Sequence, residues 1–414
     1  MRAIVYPHDL ATGGSQLIAI DCAAEVARLG HEVVVVGHPG PLVDRIDRLG
    51  LEFVALPRPR LRPTPSIVSA LRGEVRRRGI DVVHGYEWPP TLEAVLATSG
   101  TRAAACSTVL SMSVAPFIPT HVPLTVGTEQ IRDAELARGR RDVELVEPPV
   151  DTRLDSPDVD LPLDRFADSW GIDRRALTVV TVSRLVAEMK LEGILTAVDA
   201  VGRLARDRDV QLVVAGGGEA AGRVAERAAA VNDALGRRAV VVTGELADPR
   251  PAYALADVVL GMGSSALRGM AFGTPLVVQG VEGYWELLTE ESLPTFLRQG
   301  WFGTGPGPDD AVDRLADILA GLADDEALRR RLGALSLRTV RDRFSLAAAA
   351  RRLVVLYERA VEAGARRSAG GTARSAGGAA GRFLLHQLRT GAERVTGRAA
   401  TEDFNSRPTL GRAR

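Results

Sequence analysis

Lysine is almost absent from this chain. Of its 52 basic residues one is a lysine, Lys190, and the other 51 are arginines. The excess of Ala, Gly and Arg has the character of a GC-rich coding bias, which writes arginine wherever either cation serves. A retained ammonium is then either a chance survivor or the mark of a place where a compact point charge fits and a guanidinium does not. Cysteine is scarce too. Cys22 and Cys106 stand in segments that read as a buried helix and a buried strand, which excludes a disulfide framework and predicts reduced core thiols in a cytoplasmic protein. Nowhere do 18 apolar residues run together, which excludes a membrane-spanning helix. Met1-Arg2 leads straight into AIVYP, with no signal-peptide pattern. Neither sign of charge dominates: 52 acidic residues balance 52 basic ones, which argues against nucleic-acid binding by the whole protein. Nor is there a cysteine pair at ligand spacing, or an Asp-x-Asp at a strand end in the second half, so no metal is expected.

What the chain does have is length and rhythm. Its 414 residues, 46% hydrophobic and 25% charged, exceed one comfortable core and predict two globular domains. Over residues 1–150, apolar runs at 2–7, 31–38, 51–57, 81–86, 103–110, 124–128 and 143–148 alternate with amphipathic helical patterns such as SQLIAIDCAAEVARLG. Continuous apolarity marks strands buried on both faces, as in a parallel sheet, and the alternation predicts a doubly wound α/β domain. PPVDTRLDSPDVDLPLD (148–164) interrupts the rhythm as a linker. A second series follows at 177–185, 210–218, 239–246, 257–262 and 275–280, and 310–367 is almost wholly helical. The expected division is therefore 1–150, 151–345, a C-terminal helix at 346–367 returning toward the first domain, and a disordered basic tail at 368–414.

In paired folds of this kind ligands gather beyond the carboxyl ends of the strands, and the distinctive residues stand there. Gly13 and Gly14 follow the first strand and let backbone N–H groups approach a phosphate or a substrate hydroxyl, although a tight turn accounts for them nearly as well. Arg184 and Lys190 follow the first strand of the second domain and suit a diphosphate, the first through its fork and the second as a point charge. Gly216, Gly217, Gly218 and Glu219 follow the next strand; Gly244, Glu245 and Leu246 follow the third. Ser264 and Ser265 open a short helix carrying Arg268, a start that can cap itself and bind an anion. FGTP at its end needs no ligand to explain it. His84 ends a strand in HGYEWPP, beside Tyr86 and Glu87; it either faces a donor sugar or packs beside the helix near Pro90. His8, His121 and Glu129 read as loop residues, and His31 and His38 as structural ones.

The ordered set SRL…K, AGGGE, TGEL and YALADVVLGMGSSALRGMAFGTPLVVQG resembles the nucleotide-sugar half of the family 4 glycosyltransferases. The GG loop at 13–14, LGHEVVVV, DVVH and PPVD extend the likeness over roughly 2–362, and GYWELL places Glu286 where the family has a GG-x-x-E glutamate. The resemblance implies α/β architecture of GT-B type, two Rossmann-like domains facing each other across a cleft. It implies that Arg184 and Lys190 hold the donor diphosphate, that backbone around Gly216–Gly218 and 243–246 surrounds sugar and base, and that the configuration is retained. The partners implied are a nucleoside diphosphate sugar and a polysaccharide, glycolipid or metabolite acceptor. Two departures stand out. The second of the family's paired glutamates aligns with Arg268, and the loop before it is too short for the first. They leave open a non-catalytic homologue that binds sugar nucleotides as a partner subunit. In HGYEWPP, His84, Tyr86 and Glu87 stand against the family's H-x-H-E, with Tyr86 in place of its second histidine. In the tail, Phe383, Leu384, Leu385 and Leu388 beside Arg382 and Arg389 offer a weak peripheral membrane contact at most; a disordered extension is the simpler expectation.

Overall fold

A computed structural model of the chain describes residues 1–11, 13–59, 62–366, 378–383 and 386. Its described residues divide into two compact units, one formed by Met1–Pro148 with the described residues from Leu346 onward, the other by Pro149–Ser345.

The first unit is built on seven strands: β1 (Arg2–Tyr6), β2 (Glu32–Gly37), β3 (Glu52–Ala55), β4 (Val82–Tyr86), β5 (Ala104–Val109), β6 (Leu124–Val126) and β7 (Val143–Leu145). They lie in the order β3-β2-β1-β4-β5-β6-β7, every pair parallel. Buried Val, Ile and Ala on both sheet faces form two cores, one shared with the helix Gly14–Arg28 and the long helix Leu346–Arg366, the other with Pro65–Arg78. A third cluster around Phe117 and Ile118 fills the space beside β5 and β6. The loop carrying it is pinned by buried Arg140, which donates to the carbonyls of Ile118 and Pro119, each at 2.9 Å.

The second unit repeats the plan with β8 (Leu177–Val182), β9 (Val210–Ala215), β10 (Val240–Gly244), β11 (Val258–Gly261), β12 (Leu276–Gln279) and β13 (Trp285–Leu287), in the order β10-β9-β8-β11-β12-β13. The strand β13 runs antiparallel to β12; the other pairs are parallel. The sequence places no strand there, because three residues of an edge strand are too few to show a period. Val150 N donates to Phe344 O at 2.8 Å, so the stretch that enters this unit lies beside the stretch that leaves it. Among the described residues no helix is long and apolar enough to cross a membrane.

In both sheets the strand order reverses once, between β1 and β4 in the first unit and between β8 and β11 in the second. At such a reversal the connections diverge to opposite faces and leave a crevice beyond the strand ends.

Candidate functional site

In the second unit, Arg184 and Lys190 follow β8 while Met262, Ser264 and Ser265 follow β11, so the two segments flank the reversal. Lys190 is the residue before the helix Leu191–Leu204. It is half-buried and its Nζ donates to the Met262 sulfur at 2.9 Å. Burial first, and the neighbouring Arg184 guanidinium second, pull its ammonium down to about 8. Arg184 is exposed. Among the described residues neither cation forms an ion pair. Two uncompensated positive charges at a crevice lower the cost of bringing in an anion.

The glycine run after β9 is woven into the same edge. Leu185 N donates to Gly217 O at 2.8 Å, Gly216 N to Gly244 O at 2.8 Å, and Ala220 N to Leu185 O at 2.8 Å. A Cβ on Gly216 would stand 1.8 Å from Ser183 O and one on Gly218 2.3 Å from Leu185 O, and both have positive φ. Glycine is therefore required at 216 and 218 by the close pass of the 183–185 backbone, before any ligand is considered. Gly217 differs: its nearest neighbour would be the Glu245 side chain at 3.2 Å. Glu219 is exposed and lies before the helix Ala221–Leu235. Gly244 ends β10 at φ 73, Glu245 is exposed, and Leu246 is half-buried against the core.

The helix Ser264–Ala271 starts from Gly263, without a side-chain cap. Ser265 Oγ donates to Met262 O at 3.0 Å, bracing the residue that supports Lys190. Arg268 is held by Asp155: its Nε and an Nη meet the two carboxylate oxygens at 3.0 and 2.9 Å. Its guanidinium also sits 5.7 Å from the ring centroid of buried Tyr253. The carboxylate opposite Arg268 thus comes from the chain's own 148–164 segment. Glu286 lies on β13 and accepts from Tyr284 Oη.

In the first unit the helix Gly14–Arg28 begins directly after Gly13, whose backbone is extended, and its first turn has no side-chain cap. Uncapped N–H groups at a helix start suit an anion or a hydroxyl. His84 needs correction as a sugar-facing group. Its imidazole is fully enclosed, with Nδ1 2.8 Å from Tyr357 Oη and Nε2 2.7 Å from Thr108 Oγ1. Burial drives it down to about 3, so it remains neutral. It ties the helix Leu346–Arg366 to the sheet and presents no ring nitrogen to a crevice.

Glu87, to which the sequence reading gave no role, stands at the reversal of this sheet. It follows β4 with φ 66 and ψ 174, a region almost confined to glycine that costs a residue with a side chain about 1–3 kcal/mol. Its buried carboxylate accepts from Ser15 Oγ at 3.3 Å, Leu110 N at 3.0 Å and Ser111 Oγ at 2.6 Å. Burial raises its pKa, and these hydrogen bonds act against the rise. Nothing local in HGYEWPP signals this, since its three partners lie in two other segments, the start of the helix Gly14–Arg28 and the turn after β5.

The architecture, two Rossmann-like α/β units each with its crevice at the strand-order reversal, is that of the GT-B fold. Solved structures of that fold are similar to the chain. A glycosyltransferase from Rickettsia africae matches at 16% identity over 87% of this chain and 98% of its own, with a TM-score of 0.70. Anabaena HepE in complex with UDP matches at 14% identity over 87% and 100%, TM-score 0.66. A sucrose-phosphate synthase from Thermosynechococcus elongatus matches at 18% identity over 87% and 99%, TM-score 0.63. No curated protein matches. Family models match in both units: "Glycosyltransferase Family 4" over residues 12–110 and "Glycosyl transferases group 1" over 176–325. Together these stretches span more than half of the chain, which belongs to the group 1 and family 4 glycosyltransferases.

Proposed function

We propose that this glycosyltransferase moves a hexosyl group, with retention of configuration, from a nucleoside diphosphate sugar to a polysaccharide, glycolipid or metabolite acceptor of cell-envelope type. The observation that carries the reading is the pair Arg184 and Lys190. Two cations without an ion-pair partner among the described residues stand at the crevice beside β8, and the ammonium is held on a neutral sulfur. A diphosphate supplies the missing negative charge. It is also the leaving group whose developing charge such a site stabilises in the transition state. The two cations do this without a divalent ion. Backbone near Gly217 and Glu245 borders the sugar and base, and the uncapped start of Gly14–Arg28 meets the acceptor. HepE is known with UDP-glucose bound, which supports a nucleotide sugar as donor. In this reading the protein works in the cytoplasm, with any membrane contact peripheral and through the tail.

A second reading, a sugar-nucleotide-binding subunit without turnover, draws on Arg268. The helix position where the resemblance implies a glutamate carries instead an arginine closed on Asp155. Calorimetry and turnover assays with UDP-, GDP- and dTDP-sugars separate the readings. Binding with transfer supports the enzyme, binding alone the subunit. Lys190→Ala is expected to lose donor affinity and turnover together. Normal binding and turnover in that variant removes the assigned role.

A further inference from the structure

We infer that Glu87 is a positioning residue for the transfer reaction, its carboxylate locking the start of helix Gly14–Arg28 and the turn after β5 into one rim of the first unit's crevice. The inference rests on the reading of that crevice as the acceptor side.

Three independent features converge on this residue. It occupies the end of β4 at the single reversal of strand order, where a crevice must open. It also departs from ordinary backbone geometry: with φ 66 and ψ 174 it adopts a conformation natural to glycine and unfavourable to glutamate. Glycine at 87 would give the turn without strain, so the turn alone does not account for the residue. The third feature is what the side chain reaches. Ser15 stands at the helix start that follows β1, and Leu110 and Ser111 stand in the turn that follows β5. β4 lies between β1 and β5 in the sheet, so the two loops are not joined by neighbouring strands. The carboxylate bridges them across the end of its own strand, accepting hydrogen bonds from both sides.

Such a bridge fixes the uncapped N–H groups of Gly14 and Ser15 relative to the opposite wall. A misplacement of about 1 Å in groups that orient a reactant can cost on the order of 100-fold in rate. Glu87 itself is enclosed and acts through the two loops, so it is a positioning residue and not a catalytic one.

Three variants of the full chain test this. Glu87→Gly removes the carboxylate and relieves the backbone; Glu87→Gln keeps the length but turns one acceptor into a donor facing donors; Glu87→Asp keeps the charge with a shorter reach. In Glu87→Gly, amide exchange at Gly14–Leu17 and Leu110–Ser113 is expected to accelerate while the thermal midpoint stays level or rises. UDP affinity should remain within about twofold and turnover should fall about 100-fold. Glu87→Gln should resemble it in exchange and turnover, and Glu87→Asp should recover part of both. A fall in midpoint that tracks the loss of turnover makes Glu87 merely structural and overturns the inference, as does unchanged exchange at both loops. If the wild-type chain transfers no sugar, the functional reading fails on its own, and the exchange and stability data still decide whether Glu87 holds the two loops.

Discussion

The ammonium of Lys190 rests 2.9 Å from the sulfur of Met262, a soft neutral atom where a carboxylate would be the ordinary partner. Desolvation and the Arg184 charge hold it down to about 8, so its protonation changes within an accessible range. The free protein carries the cost of that charge at lower pH. Between about 8 and the ordinary lysine value the unfolded chain keeps its proton while the folded one releases it, so this group's contribution makes stability rise with pH there.

Donor binding must run the other way. A diphosphate favours the protonated amine, so UDP affinity should be level below about pH 8 and fall above it, by at most about tenfold per pH unit for one proton. Calorimetric titrations across that range check the slope. Lys190→Arg should flatten the profile and bind more weakly throughout, because the guanidinium stays charged but does not fit over Met262. A Lys190→Arg variant with wild-type affinity and slope would show that the ammonium is not the group being titrated.

Arg268 and Asp155 make a different kind of pair, a guanidinium fork closed on a carboxylate within the second unit. Asp155 is almost completely enclosed while Arg268 keeps about a third of its side chain exposed. Arg268→Ala leaves a buried carboxylate without its fork and should destabilise the protein by about 2 kcal/mol, after allowance for the exposed side of the arginine. Removing both charges in Arg268→Leu/Asp155→Leu should recover much of the loss. Urea denaturation of the two variants against wild type gives the comparison.

How far the sequence reveals this molecule depends on the range of the forces involved. The parallel strands of both sheets show as continuous apolar runs, because burial on both faces is a local compositional demand. Arg184 and Lys190 show because strand ends carry loops and one lysine stands out among arginines. By contrast, β13 is a three-residue edge strand with no period to read. Glu87 takes its strained φ from partners 72 and 23 positions away. His84 looks the same in sequence whether it faces a sugar or a tyrosine, and the tyrosine is 273 residues distant. Leu384, Leu385 and Leu388 of the suggested membrane contact lie outside the described residues.

His84 carries its own pH signature. Its folded value of about 3 lies well below the ordinary 6.5 because burial disfavours the imidazolium. As pH falls from 6.5 toward 3 the unfolded chain takes up a proton that the folded one refuses, and stability falls with it. His84→Asn should weaken that acid-side slope and, by losing hydrogen bonds to Tyr357 and Thr108, cost about 2 kcal/mol. Donor affinity at neutral pH should be unaffected. Acid titration of the folding midpoint and one UDP isotherm suffice.

Phe383 sits 6.0 Å from Trp88 and 5.2 Å from Phe117 between ring centroids, and Arg382 Nε donates to Pro116 O at 2.6 Å. An apolar residue of the proposed membrane-contacting stretch is thus packed on the first unit. Phe383→Ala should redden the emission of Trp88, isolated by replacing the other tryptophans with phenylalanine, and lower stability by about 1 kcal/mol. Unchanged emission would mean that the segment does not dock in solution.

The glycines after β9 allow fold and ligand to be separated at adjacent positions. At Gly216 a Cβ would meet the Ser183 carbonyl oxygen at 1.8 Å, and the residue has φ 153. Neither the backbone contact nor the dihedral can be relieved by a rotamer change, so Gly216→Ala must push the 183–185 backbone after β8 aside, lowering stability and displacing Arg184 together. At Gly217 the nearest atom to a Cβ is the Glu245 side chain at 3.2 Å, which can yield by a small rotation. Gly217→Ala should therefore fold with near wild-type stability. If the sugar and base lie against this backbone, the added methyl occupies their space and donor affinity falls about tenfold or more, with Arg184 and Lys190 undisturbed. Wild-type affinity in a well-folded Gly217→Ala would move the donor away from the glycine run and leave the close pass of the 183–185 backbone as the reason for glycine at 216 and 218.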